Sequence, residues 1–353
     1  MSDRLDRAHG ALAGLALGDA LGMPTQSFTR AEVLRRYGVV RGLLDGPVDQ
    51  PIAPGRRAGS MTDDTEQTVL LGRELVRGAG RLDPRAWATA LADWEQTMAD
   101  QGSLDLLGPS TSRAIALIRQ GVDPAEAGSG GTTNGAAMRI APVGIAVPWG
   151  HDGTSRAAFL DAVAAACLPT HHTSLAIAGA AAVGAVVSAG VGGHADHQDG
   201  WREAALAAAD GGQTRGRLVP GPSVAARISW VLQDCLRQGS AAEQDAWISD
   251  VVGTTVATQE SVPAAFALLE AALDDPWEGL CRAASLGGDT DTVAAMLGAM
   301  TGALRGRSGL PTDRCDAVEE LNGLDLRSLA QDLLDLRDAS APSPVTGERS
   351  WRG

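Results

Sequence analysis

The chain has 353 residues, of which 44% are hydrophobic and 20% are charged, and its formal net charge is −14 at pH 7. This composition is typical of a globular protein, and the negative charge argues against a nucleic-acid partner, because such binding relies on Lys and Arg at the phosphates. All 29 basic residues are Arg, which excludes a lysine Schiff base and a Walker A nucleotide site.

Helical periodicity runs through the chain and alternating strand patterns are nearly absent, so the sequence predicts an all-α fold. Three Asp-Pro pairs place an N-cap acid before a proline, and they predict helices that begin at Pro84, Pro124 and Pro276. We expect a single domain over residues 1–340 and a weakly ordered tail at 341–353, because the tail is small, polar and proline-containing.

Glycines recur every fourth residue in the first predicted helix, at Gly10, Gly14, Gly18 and Gly22. Each of them costs up to about 1 kcal/mol of helix propensity relative to alanine, so a compensating contact is needed. Because one face of this helix lacks side chains, we expect another helix to approach it closely.

Three features bear on the compartment. The opening Met1–Arg7 is highly charged, so no signal peptide is expected. The apolar run from Leu175 to Val191 consists mainly of Ala, Gly and Val, which favours a packed core helix over a membrane span. The four cysteines show no CxxC spacing, which is typical of reduced thiols. These features predict a cytoplasmic protein with no membrane partner.

Two similar acidic clusters lie more than two hundred residues apart, at Thr62–Thr65 and Asp289–Thr292. Each contains two carboxylates and two hydroxyls in four residues, and like charges this close repel each other unless a cation or protons lie between them. Together the clusters would form an all-oxygen site, which suits Mg²⁺, Mn²⁺ or Ca²⁺. Helix capping is the alternative interpretation, with Asp63 as N-cap and Glu66 three residues later, or with Asp289 or Asp291 before the next helix.

Two glycine-rich segments precede predicted helices, at 128–139 and 108–112. Exposed amides at such junctions attract phosphate through unpaired N–H groups and the helix dipole. A third polar segment, 170–174, contains His171 and His172, for which either capping and ring stacking or a ligand contact is expected. His194 and His197 have a metal-like spacing, but the surrounding sequence predicts a solvated loop.

Five motifs in order resemble the signature of the ADP-ribosylglycohydrolase family. They are Gly14–Gly22, Thr62–Thr65, Asn134–Arg139, Thr170-His171 and Gly287–Thr292. The resemblance spans the chain from the first helix to about residue 303. It implies an all-α, single-domain orthogonal helical bundle with a central dinuclear metal site that holds two divalent cations, Mg²⁺ or Mn²⁺.

The resemblance also implies the site residues. The metal ligands would be Thr62, Asp63, Asp64, Asp289, Asp291 and Thr292. The substrate-binding residues would be Gly108, Ser110, Thr111, Gly130, Gly131, Thr132, Asn134 and His171. Ribosyl cleavage needs a nucleophile or an activated water and help for the leaving group. Asp63, Asp64, Asp289 or Asp291 could accept the proton of that water.

One position departs from the family pattern. Many members carry a Glu shortly after the Gly-Asp-Ala-Leu-Gly motif, and here Gln26 stands in that place. A glutamine can form hydrogen bonds but cannot exchange a proton near neutral pH. Any catalytic role of Gln26 therefore differs from that of a carboxylate.

These patterns predict a metal-dependent hydrolase of a ribosyl bond, whose partner is an ADP-ribosylated protein or a small ribosyl substrate. One alternative is a hydrolase of nucleoside-like compounds or simple ribosyl glycosides on the same scaffold. The other is a non-catalytic, crystallin-like protein that binds ADP-ribose. The sequence gives no indication of oligomeric state.

Overall fold

The computed structural model describes residues 3–100, 108–193 and 200–339, and every regular element within these ranges is helical. The predicted all-α class is confirmed. The tail at 341–353 and the pair His194 and His197 lie outside the described residues, and the division into domain and tail stays a prediction.

The α-helices are α1 (Asp3–Gly22), α2 (Arg30–Tyr37), α3 (Asp63–Arg77), α4 (Pro84–Asp100), α5 (Pro109–Arg119), α6 (Pro124–Ala127), α7 (Gly135–Met138), α8 (Ala141–Ala146), α9 (Gly153–Cys167), α10 (Ser174–Val191), α11 (Gly200–Gly212), α12 (Val224–Asp234), α13 (Ala241–Trp247), α14 (Thr258–Asp274), α15 (Pro276–Ala283), α16 (Thr290–Arg305), α17 (Thr312–Leu321) and α18 (Leu326–Ala339). Short 3₁₀ turns occupy Gly128–Gly130, Cys235–Gln238 and Arg307–Gly309, and Ile248–Val252 forms a π turn.

The three helix starts predicted from Asp-Pro pairs are confirmed. Asp83 accepts hydrogen bonds from two backbone N–H groups at the start of α4, at 3.0 and 2.8 Å. Asp123 caps α6 through the N–H of Ala125, and Asp275 caps α15 through the N–H of Glu278. In each case a local side chain satisfies a donor that has no intrahelical acceptor.

Helices α1 and α16 form the central pair, and the glycines of α1 face α16. A Cβ atom added at Gly10, Gly14 or Gly18 would collide with a backbone carbonyl of α16, and one added at Gly22 would collide with its first turn. The predicted close approach of a second helix is therefore confirmed. This contact places the end of α1 beside Asp291, so the packing of the core also positions the second acidic cluster.

Helix α10 is buried at every residue from Ser174 to Val191, although it is long and apolar enough to cross a membrane. The structure thus agrees with the prediction of a core helix. All four cysteines are buried free thiols, as predicted from their spacing.

Candidate active site

The first acidic cluster lies at the start of α3, and a distant residue caps this helix. Asp19, in the last turn of α1, is fully buried and accepts hydrogen bonds from the backbone N–H groups of Thr62 and Thr65. The hydroxyls of both threonines also donate to Asp19, at 2.8 and 2.5 Å. The side chain of Thr62, which is the N-cap residue, makes no cap hydrogen bond of its own.

The capping pair of Asp63 and Glu66 is therefore wrong. Asp63 is the first residue inside the helix rather than its N-cap, and Glu66 accepts a hydrogen bond from Trp94 Nε1 at 2.8 Å. Because Asp19 accepts the hydrogen bonds at the start of α3, the carboxylates of Asp63 and Asp64 do not have to cap this helix.

The second acidic cluster begins α16 in a similar way. Asp289 is the N-cap residue of α16, but its side chain makes no cap hydrogen bond. It accepts instead from the side-chain amide of Asn134 at 2.6 Å. The two preceding glycines, Gly287 and Gly288, have φ values of +75° and +79°, which side-chain-bearing residues rarely adopt. This turn places Asp289 at the cleft.

The two clusters meet on one cleft. Thr292 Oγ1 approaches Asp64 Oδ2 to 3.4 Å, across 228 residues of sequence. The predicted site residues that line the cleft are Gln26, Asp63, Gly108, Thr111, Asn134, Asp289, Asp291 and Thr292. Apolar side chains, including Ile52, Met138 and Val256, complete its wall. The cleft therefore brings the acidic clusters together with residues of both glycine-rich segments, among them Gly108 and Asn134.

Burial and mutual repulsion define the electrostatics of the cleft. Burial raises the pKa of Asp64 well above its usual value, and the charges of Asp291 and Asp19 add to this effect. The pKa of Asp291 is raised in the same direction, first by burial and then by Asp289. Burial, followed by Asp19 and Asp289, does the same to Asp63. Each cluster thus experiences the charge of the other, as the sequence led us to expect.

Two oxygens in this site have no hydrogen-bond partner although they are buried, Asp64 Oδ1 and Asp291 Oδ1. A buried carboxylate oxygen without a donor is costly unless a cation or a ligand donor compensates it. Each cluster thus contains one buried carboxylate oxygen without a hydrogen-bond donor. Hard cations bind to oxygens of this kind, so the residues fit one or more such ions. Across the described ranges, however, no three His, Cys, Asp or Glu side chains form a compact metal-binding group, so a dinuclear geometry is not established.

The remaining predicted site residues do not line the cleft directly. They are Thr62, Asp64, Ser110, Gly130, Gly131, Thr132 and His171. A Cβ at Gly131 would collide with the backbone of Thr170, and one at Gly130 would meet the guanidinium of Arg113. The carbonyl of Thr132 accepts from Thr258 Oγ1 at 3.0 Å. Close packing behind the loop is therefore the observed role of Gly130, Gly131 and Thr132.

The two adjacent histidines lie in the turn before α10. His171 is fully buried, and its ring contacts Thr133 Oγ1 through Nε2 at 2.9 Å and Thr170 Oγ1 through Nδ1 at 2.8 Å. Burial lowers the pKa of His171 well below its usual value, and the charge of Arg139 adds to this effect. His171 is therefore a neutral group behind the cleft wall. It contacts Thr133, which lines the cleft.

Gln26 lies on the cleft in a segment held by backbone contacts. Ser27 N–H donates to Gly288 O at 2.7 Å, and the N–H of Gly288 donates to Phe28 O at 2.8 Å. Gln50 Nε2 donates to the carbonyl oxygen of Gln26 at 3.1 Å. The side-chain Nε2 of Gln26 is buried and has no acceptor within the described part of the protein. The structure therefore presents an unused amide donor at this position.

Residues that the sequence patterns did not single out support the site from behind. Asp19 could have been noticed as a charged residue in a stretch of Gly, Ala and Leu, where a buried carboxylate needs donors. Gln67 gave no comparable signal, because Gln is common in exposed helices. Arg139 ends the Asn134–Arg139 motif, but the resemblance did not assign it a role at the site.

Comparison with known proteins agrees with this geometry. A sequence model described as ADP-ribosylglycohydrolase matches residues 1–342. The chain belongs to this family. It is 34% identical to the uncharacterized protein YegU of Escherichia coli over 337 residues, which cover 95% of this chain and 98% of YegU. It is 29% identical over 349 residues to the ADP-ribosylarginine hydrolase Tri1 of Pseudomonas putida, covering 94% of this chain and 78% of Tri1.

A solved structure titled ADP-ribosylglycohydrolase-related protein complex superposes with a TM-score of 0.67 over 96% of this chain and all of that one, at 24% identity. At this identity the likeness concerns the fold alone. The family match covers nearly the whole chain, and Tri1 is a relative that is named for the hydrolysis of ADP-ribosylarginine.

Proposed function

We propose that this chain is a divalent-cation-dependent hydrolase that releases ADP-ribose from a modified protein side chain or small molecule. The observation that carries the proposal is the pair of orphaned oxygens, Asp64 Oδ1 and Asp291 Oδ1, which come from the two acidic clusters of a single cleft. The relative Tri1 is named for ADP-ribosylarginine, which makes arginine the first acceptor to test.

The loops opposite the acidic clusters are suited to hold a diphosphate. Gly108 is the N-cap of α5 and, as a glycine, provides no side-chain cap for the helix terminus. The N–H groups of Ser110 and Thr111 lie in the first turn, where the helix offers them no acceptor. Such groups, together with the positive end of the helix dipole, bind phosphate oxygens.

The candidate cation ligands are Thr62, Asp63, Asp64, Asp289, Asp291 and Thr292. Bound Mg²⁺ or Mn²⁺ would orient ribose hydroxyls and lower the pKa of a water. Asp64 and Asp291 would hold such ions through their orphaned oxygens. Asn134 fixes one oxygen of Asp289 and thereby orients the other toward the same region.

Asp63 is the residue to which we assign the proton transfer. Its Oδ2 accepts a hydrogen bond of 3.0 Å from Gln67, which leaves Oδ1 available at the cleft. Because Asp63 lines the cleft, this free oxygen lies where it could accept a proton from a water. The oxocarbenium-like transition state of ribosyl cleavage would also be stabilised by the surrounding negative charge.

A nucleoside-like or simple ribosyl substrate is the second candidate, and Gln26 is the observation that favours it. A glutamine at this position removes a proton-transfer group that many relatives carry, so the leaving group requires less assistance or a different donor. The scaffold and the acidic clusters are the same for both candidates.

The two candidates are separated by one assay. The protein is incubated with Mg²⁺ or Mn²⁺ and with ADP-ribosyl-arginine, ADP-ribosyl-serine or free nucleosides, and released ADP-ribose or ribose is measured by chromatography. We expect release of ADP-ribose from at least one ADP-ribosyl substrate and its loss in Asp291→Asn. The control variant is Asp93→Asn, whose side chain is exposed on α4. Release from nucleosides alone would favour the second candidate, and tight binding of ADP-ribose without release would indicate a binding protein.

A further inference from the structure

Arg139 is a buried cation near the cleft, and the proposed reaction does not use it. Its side chain is 1% exposed, and its hydrogen-bond partners in the described part of the chain are Gln67 and Thr170, neither of which is a carboxylate. Burial lowers the pKa of Arg139 to about 10, which still leaves the guanidinium charged at neutral pH. Burying a charge without a carboxylate partner costs free energy, which points to a functional role for Arg139.

One side of Arg139 leads to Asp63. Arg139 Nη1 donates to Gln67 Oε1, and Gln67 Nε2 donates to Asp63 Oδ2 at 3.0 Å. Because a guanidinium can only donate, the Gln67 amide must present its oxygen to Arg139 and its nitrogen to Asp63. Arg139 thereby fixes Asp63 as an acceptor.

The other side of Arg139 leads to His171. Arg139 Nη2 donates to Thr170 Oγ1 at 2.6 Å, and Thr170 Oγ1 lies 2.8 Å from His171 Nδ1. Thr170 is fully buried, so its own hydroxyl proton needs an acceptor, and His171 Nδ1 is the one within reach among the described residues. The proton of the neutral imidazole must then be on Nε2.

The chain of hydrogen bonds ends at the cleft. His171 Nε2 lies 2.9 Å from Thr133 Oγ1, and in this tautomer the imidazole donates to the hydroxyl. Thr133, in the glycine-rich segment 128–139, lines the cleft. Since its oxygen accepts from His171, the Thr133 hydroxyl keeps its own proton as a donor at the cleft.

We propose that Arg139 is a positioning residue that sets the direction of every hydrogen bond from Asp63 to Thr133, so that the Thr133 hydroxyl is a dedicated donor to an oxyanion of the ligand. The oxyanion is the diphosphate of ADP-ribose, and this identity rests on the proposed function. The direction of the hydrogen bonds follows from the protein alone.

The first test measures the tautomer of His171 without a ligand. Nitrogen-15 NMR of the imidazole is recorded at neutral pH, and the His171 signals are assigned through their loss in His171→Gln. We expect the Nε2–H tautomer in the native protein and in Thr170→Ser, which keeps the hydroxyl. We expect a mixture containing the Nδ1–H form in Thr170→Val and in Arg139→Met.

If Arg139→Met does not fold, the matched Thr170→Val and Thr170→Ser variants still decide the outcome. An Nδ1–H tautomer or an imidazolium in the native protein would overturn the inference. So would an unchanged tautomer in folded Thr170→Val.

The second test measures how much the Thr133 hydroxyl contributes to ligand affinity. Isothermal titration calorimetry compares ADP-ribose with adenosine, which lacks the phosphates. Thr133→Val is expected to weaken ADP-ribose binding roughly tenfold, the effect of one hydrogen bond to a charged acceptor, and to leave adenosine binding unchanged. Thr133→Ser should restore the affinity, and the exposed Thr97→Val on α4 is the matched control.

Equal ADP-ribose affinity in Thr133→Val and the native protein would overturn the assignment of the donor. If the native protein does not bind ADP-ribose at all, the proposed function fails, whereas the tautomer measurement still decides whether Arg139 sets the hydrogen-bond direction.

Discussion

Asp19 Oδ2 accepts a 2.5 Å hydrogen bond from the hydroxyl of Thr65, which joins the last turn of α1 to the first turn of α3. The same carboxylate accepts from the backbone N–H groups of Thr62 and Thr65. A residue more than forty positions away thus performs the capping that the acidic cluster would otherwise have to provide. The carboxylate oxygens of Asp63 and Asp64 are therefore not needed as capping acceptors for α3.

Replacing Asp19 should therefore destabilise the fold and weaken cation binding. In Asp19→Ala four donors lose their acceptor, and we expect the free energy of unfolding to fall by about 2–4 kcal/mol, the range for a lost cap and charge-assisted hydrogen bonds. Relief of the repulsion between Asp19 and Asp63 recovers part of this loss. Urea unfolding measures the effect, with exposed Asp93→Ala as control. Equal stability of the two variants would refute the capping role.

The contact of α1 with α16 predicts a second stability effect. In Gly18→Ala the new methyl group would overlap with the carbonyl of Ala294, so the helices must separate. Overpacking of this kind costs about 1–3 kcal/mol or more, although alanine favours the helix. Gly42→Ala is the control, because nothing lies within 4 Å of its Cβ position. Thermal unfolding should rank Gly18→Ala clearly below Gly42→Ala, and the opposite order would contradict the packing account.

Cation binding should strengthen as the pH rises. The pKa values of Asp63, Asp64 and Asp291 are raised above the ordinary Asp value of about 3.9. Their protonation stabilises the cation-free fold, so this contribution is complete below about pH 3.9 and is lost as the pH rises through the raised values. A cation replaces these protons, and affinity therefore increases over the same interval.

Calorimetric titration of Mn²⁺ in two buffers with different ionisation enthalpies would measure the protons released. We expect proton release on binding and a higher unfolding temperature with Mn²⁺ than without it. Asp291→Asn should reduce both effects, since it removes one of the negative charges that raise the pKa of Asp64. An affinity that does not change with pH would contradict the assignment of these carboxylates.

Gln26 predicts an effect on ligand binding that differs from that of a carboxylate. Its buried Nε2 has no acceptor within the described residues, so a ligand oxygen is the natural partner. Gln26→Glu replaces this donor by an acceptor beside Asp289 and Asp291, and we expect ADP-ribose affinity to fall roughly tenfold. Gln26→Ala separates the loss of the donor from the added charge. Equal or tighter binding by Gln26→Glu would show that the amide does not contact the ligand.

Local periodicity was sufficient to predict much of the architecture. The all-α class and the three helices that begin after Asp83, Asp123 and Asp275 follow from short-range rules, because a helix start depends on residues within one turn. The same rules also allow Asp63 to cap α3, the alternative interpretation of the first cluster, and that alternative is wrong. A local pattern cannot reveal that Asp19 satisfies the same donors from another helix.

The sequence by itself determined that the chain is helical, that α1 has a bare face and that two oxygen-rich segments resemble each other. Only the tertiary structure decided which helix covers that face, that Thr292 comes within 3.4 Å of Asp64, and that Arg139 connects Asp63 to His171. The physical reason is that helix formation and composition are local properties. The pairing of distant hydrogen-bond donors and acceptors depends instead on how the helices pack, and packing is settled by the whole core at once.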